Sequence, residues 1–99
     1  MDAFVVPGST PEEFVARIER EVRAEDFDSI VSPRLIGNRL EVRFSYLGTS
    51  VLAYDLADQG DGFRAALVQR RMSPFHAPFR AGFDRRFDDV LRRLGAHPA

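Results

Sequence analysis

The stretch RLEVRFSYLGTSVLAYDLADQGDGFRAALVQRRM, Arg39 to Met72, decides the fold. In its first third Leu40, Val42, Phe44 and Tyr46 alternate with Arg39, Glu41, Arg43 and Ser45. A period of two is the mark of a strand with one buried and one wet face. Gly48-Thr49 makes a turn. The next strand is predicted over Val51–Ala57, with Leu52, Tyr54 and Leu56 on one face and Val51, Ala53 and Ala57 on the other. The glycine-rich loop Asp58–Gly62 leads to a further strand, Phe63–Met72. There Phe63, Ala65 and Leu67 share one face, and Ala66, Val68 and Met72 the other. That loop lacks the Gly-Lys-Ser/Thr sequence and following helix of a phosphate cradle, so it reads as a hairpin connection.

Working outward, Ser29–Ile36 supplies a weaker strand, joined to Arg39 by Gly37-Asn38, a pair suited to a tight hairpin. Pro33 lies inside it and cannot donate to a ladder, which assigns the strand to a sheet edge or a bulge. Before it, Thr10, Pro11 and Glu13 form a helix start, with cap, first-position proline and third-position acid. That helix is predicted to reach Arg23 or Ala24, with Phe14, Val15, Ile18 and Val22 in one stripe. A last helix is predicted from Pro78 or Phe79 to Leu94, its apolar stripe carrying Phe79, Phe83, Phe87, Val90, Leu91 and Leu94. Residues 1–9 are expected as a flexible arm in which Phe4, Val5 and Val6 add a brief strand or tuck under the first helix. Residues 95–99 are expected as a frayed tail. The predicted fold is thus one α+β domain of order α-β-β-β-β-α, a four-stranded antiparallel meander packed by two amphipathic helices.

Composition removes several chemistries. The 99 residues contain no cysteine, which excludes disulfides, thiolate metal sites and cysteine nucleophiles. All 14 basic residues are arginine, so no lysine serves as Schiff base or general base. That usage fits a GC-rich bacterial genome. The net charge of −1 provides no overall field for nucleic acid. The first residues are too short and acidic for a signal peptide, no apolar run approaches the ~20 residues of a membrane span, and the protein is expected to be cytoplasmic.

Catalytic candidates are sparse. His97 is the third residue from the C-terminus, and His76, in the connector Ser73–Pro78, has no nucleophile motif beside it. Glu25, Asp26 and Asp28 lack the spacing and bend of a calcium loop. Tyr46 and Tyr54 are expected on the inner face. No cofactor and no metal are expected, and a non-enzymatic protein is favoured over an enzyme.

The sheet face opposite the helices carries Val51, Ala53, Ala57, Ala66 and Val68, ringed by arginines and Glu41. A contiguous small apolar set calls for a cover, either one helix crossing to that face to make three layers or another chain, and another chain is favoured. The leading expectation is therefore an adaptor or chaperone-like module, a homodimer that binds a protein partner through Val51, Ala53, Ala66, Val68 and Arg70, through the last strand's open edge, or through the connector. An alternative uses Arg39, Arg43, Arg64 and Arg70 to bind single-stranded nucleic acid, although that face has no aromatic for base stacking. A third is a small-molecule pocket between helix and sheet near Tyr46, Tyr54 and His76. In element order alone, the first helix and meander resemble cystatin-like domains. The meander and last helix are similar to single-strand-binding coactivator and Pur-type domains, and dimeric secretion chaperones also mix helices with a curved antiparallel sheet. No motif residue accompanies these resemblances, so they imply no site.

Overall fold

A computed structural model describes residues 1–99. The helices fall where capping and periodicity place them. Helix α1 spans Pro11–Ala24, and the Thr10 hydroxyl accepts the Glu13 N–H at its start. Helix α2 spans Arg80–Arg93, after a short 3-10 turn at Ala77–Phe79. The strands are β1 Ala3–Pro7, β2 Val31–Ile36, β3 Arg39–Ser45, β4 Thr49–Asp58, β5 Gly62–Arg71 and β6 His97–Pro98. They form one antiparallel sheet in the order β2-β3-β4-β5-β1-β6.

The β2–β5 meander matches expectation, and both chain ends extend it to six strands. β1 lies along β5 from Ala3↔Ala66 to Pro7↔Gly62, with Phe4 and Val6 buried on the helix side. Two buried hydrophobes and a backbone ladder outweigh the entropy of ordering five residues, so this segment is a strand and not a flexible arm. The tail is ordered as well: β6 pairs with β1, and the Ala99 N–H donates to the Ala3 carbonyl. The β5 edge, expected to be open, is thus occupied along its first half, Gly62–Ala66, with one more backbone bond at Leu67. Gly62 permits the close pairing, since its φ is +118° and a Cβ there would stand 2.2 Å from the Val6 carbonyl oxygen.

A second departure lies in β5. Ala53 faces Gln69 while its neighbour Tyr54 faces Leu67, which leaves Val68 as a bulge. An extra residue in one strand of a period-two pattern reverses every side chain beyond it. Gln69 and Arg71 therefore point away from the helices, while Arg70, opposite the inward Leu52, turns toward them. Met72, expected outward, likewise meets the inward Ser50.

Inside, aromatic rings join the layers edge-on. Phe4 meets Tyr54 at 5.2 Å, Phe14 meets Phe63 at 5.5 Å, and Phe44 meets Phe83 at 4.0 Å between centroids. Tyr54 is buried, and its hydroxyl donates to the Met1 carbonyl at 3.1 Å. No helix is long and apolar enough to cross a membrane.

Candidate functional site

The outer face is more complete than its sequence suggests. Val51 is 6% and Ala53 1% exposed within the single chain. Val51 lies between Arg43 and Arg71, and Ala53 between Glu41 and Gln69. Long side chains flanking a short one across strands cover it with their methylene stems. Ala66 is half-buried beside Ala3 of β1, and Val68, on the bulge, is exposed. The arginines are largely engaged. Arg39 pairs with Asp55 at 3.1 Å and Arg43 with Glu41 at 2.6 Å. Arg70 lies on the helix side, bonded to Asp84 of α2 at 3.0 Å and near Asp2 at 3.6 Å. Of the four arginines offered for nucleic acid, only Arg64 has no ion pair, and Arg70 does not share its face.

Exposed hydrophobic surface gathers instead at one end of the sheet. Tyr46 is 64%, Leu47 70%, Phe75 67% and Phe79 72% exposed. Tyr46 lines a cavity with the inward Phe44 and with Phe79 and Phe83, but stands exposed because β3 ends at Ser45, which pairs with Thr49 across a tight turn. In that turn Leu47 adopts φ 52° and Gly48 φ 116°. A leucine in the left-handed region is costly, and such positions cluster at functional surfaces. The turn is held against the connector so closely that a Cβ on Gly48 would meet the Ser73 hydroxyl at 2.3 Å and the Phe75 ring at 3.4 Å.

Two of these side chains, Tyr46 and Phe79, line a cavity of about 190 Å³ together with Ile30, Phe44 and Phe83, with Ser50, Met72 and His76 at its base. The base is a hydrogen-bonded clasp. The Ser50 hydroxyl accepts the Ser73 N–H at 2.9 Å and lies 2.6 Å from His76 Nδ1. His76 Nε2 is 2.5 Å from the Tyr46 carbonyl. A carbonyl only accepts, so Nε2 carries the proton and donates, and Nδ1 of the neutral ring accepts from Ser50. This clasp ties the connector to both ends of the β3–β4 turn and presents the aromatic rim from a fixed base.

The same apolar surface runs on, through Ile30, Phe44 and Phe83, into a larger groove of about 690 Å³ between α1 and α2. No cluster of three or more acidic, histidine or cysteine side chains is arranged to hold a metal. The Tyr54 phenol is held well above the ordinary tyrosine range by its burial, with the Arg70 charge pulling the other way.

Sequence reasoning singled out the connector and His76 and missed Leu47 and Ser50. The signal for Leu47 was present in Tyr46-Leu47-Gly48, two large apolar residues placed at a turn where polar ones are usual. Ser50 offered no signal, because its partner is 26 residues away. Compared with protein-family models, curated proteins and solved structures, the chain matches none.

Proposed function

We propose that the protein is a non-enzymatic interaction module whose contact surface is the aromatic end of the sheet, with a second copy of the chain as its partner. The observation that carries this reading is the group of four large apolar side chains, each about two-thirds exposed or more, on the β3–β4 turn and the segment that follows β5, two of which, Tyr46 and Phe79, line a cavity. Aromatic side chains present ~150–250 Å² each. Four of this size, exposed to this degree, offer on the order of 500 Å², a large part of the ~800 Å² per partner in a standard interface. Large rigid side chains beside a dry pocket are also the usual anchors of binding energy. The outer face supports contact less well, since its central Val51 and Ala53 are already covered and β1 occupies the Gly62–Ala66 half of the β5 edge. The remaining long edge, β2, carries Pro33.

Size exclusion coupled to light scattering tests the reading. The wild type is expected to be a dimer at tens of micromolar. Leu47→Asp combined with Phe75→Ser is expected to give a folded monomer, and Val68→Arg to leave the dimer intact. A wild type that stays monomeric at millimolar concentration would refute the proposal. A dimer broken by Val68→Arg and indifferent to the Leu47 and Phe75 changes would return the contact to the outer face.

A further inference from the structure

The groove between the helices has a charge pattern that points to a ligand of its own. The floor is apolar, formed by Ile18, Val22, Phe44, Phe87 and Val90, and Phe27 stands partly exposed at the mouth. Six ionisable side chains border it. Arg93 of α2 closes one end by bridging to Glu21 at 3.0 Å and Glu25 at 3.4 Å of the α1 C-terminal region. Asp89 and Arg92 lie 3.9 Å apart. Arg86 is the one bordering charge with no ion-pair partner. It follows Phe83 by three residues and precedes Val90 by four, so it flanks the apolar stripe of α2 on the groove side. It also lies two turns, ~10 Å, before the Arg93 bridge on the same side of the helix.

A groove of this size falls within the ~300–1,000 Å³ of small-molecule sites. The border carries three carboxylates and three arginines, two of the carboxylates sharing Arg93, so that the one guanidinium left without an ion pair, Arg86, stands free to meet the anionic end of an apolar body. We propose that this groove binds an aliphatic monocarboxylate, its chain lying along Val22, Phe44 and Val90 and its carboxylate received by Arg86. A planar guanidinium suits a carboxylate because two parallel N–H donors match its two oxygens.

The test is calorimetric titration with methyl NMR of the full chain, using dodecanoate, octanoate and dodecyltrimethylammonium, each below its micelle concentration. Dodecanoate is expected to shift the Ile18, Val22, Ile30 and Val90 methyls. Octanoate is expected to bind more weakly, by about threefold for each methylene removed, somewhat less than full burial would give. The cationic amphiphile is expected to bind at least about tenfold more weakly than dodecanoate. Arg86→Gln is expected to weaken dodecanoate about fivefold to tenfold and to leave the cation no weaker than before, or slightly tighter. Phe27→Ser, at a partly exposed position, is expected to weaken both. Equal affinity for the two head groups, indifference to Arg86→Gln, or shifts confined to the Tyr46–Phe79 end would overturn the proposal. The titration is repeated in Leu47→Asp, where unchanged binding is expected whether or not the chain dimerises. Dodecanoate that binds only by dissociating a dimer would make a second copy the occupant of the groove and overturn the proposal too.

Discussion

Replacing Phe4 by alanine asks whether the first residues are a structural strand. Phe4 is 0% exposed and touches the core from two sides, its ring 6.1 Å from Phe14 and 5.2 Å from Tyr54. Removing a buried phenylalanine ring costs ~3–5 kcal/mol, the lost transfer energy plus the cavity left behind. A domain of this size has ~5–15 kcal/mol in total. The variant should therefore lose at least about a fifth of its stability, and its melting temperature should fall by at least about 12 °C. Urea unfolding followed by circular dichroism reads the loss directly. Hydrogen exchange adds a local check, because the Leu67 N–H donates to the Asp2 carbonyl at 2.7 Å and should exchange faster once β1 loosens. Val5→Ala, on the half-buried outer side of the same strand, is the control and should cost less than ~1 kcal/mol. A loss below ~1 kcal/mol for Phe4→Ala, with Leu67 protection unchanged, would mean that β1 is an arm after all and that the β5 edge is open.

Other measurements test separate parts of the structure. Burial raises the Tyr54 phenol, so the folded state keeps a proton that the unfolded chain releases near pH 10. Stability from this group is therefore full below pH ~10 and falls as the pH rises further. In a Tyr46→Phe variant, the phenolate absorbance step should coincide with the loss of circular dichroism, and a step that precedes unfolding would contradict the burial. Ser50→Ala strips the Ser73 N–H of its acceptor and the His76 ring of a partner, and should cost ~1–3 kcal/mol in urea unfolding. Gly62→Ala drives a methyl into the β1 backbone at a positive φ and should cost at least ~2 kcal/mol. Gly82→Ala, in the exposed first turn of α2 with nothing within 4 Å, should stabilise by up to ~1 kcal/mol, and equal effects from the two glycines would refute the close β1–β5 approach.

The meander and the two helices were legible because their signals are local. The alternation from Arg39 to Ser45, the Thr10–Glu13 cap and the phenylalanine stripe of α2 each depend on residues within a few positions of one another. Phe4, Val5 and Val6 carried a strand pattern, but nothing nearby names β5 as their partner, which begins more than 50 residues later in the chain. The Val68 bulge was equally invisible. Ala65 to Met72 reads as one uninterrupted strand, and only pairing with β4 leaves one residue over and turns Arg70 toward Asp84. That single slip removed Arg70 from the face on which regular alternation had placed it.

The candidate site followed the same division. Periodicity in the sequence establishes which residues prefer to leave water, and it correctly set Leu40, Val42, Phe44, Leu52 and Tyr54 against the helices. It does not say how much room long neighbours leave above a small side chain, so Val51 and Ala53 looked uncovered when Arg43, Glu41, Gln69 and Arg71 flank them. Nor does it show that Tyr46 and Phe79, from a turn and a connector far apart in the chain, line one cavity, or that the Phe75 ring lies against Gly48 of that turn. Local chemistry decides the helices, the strands and their buried sides. Contacts between distant segments decide edges, bulges and convergent surfaces, because closing the chain brings together groups that no short-range pattern links.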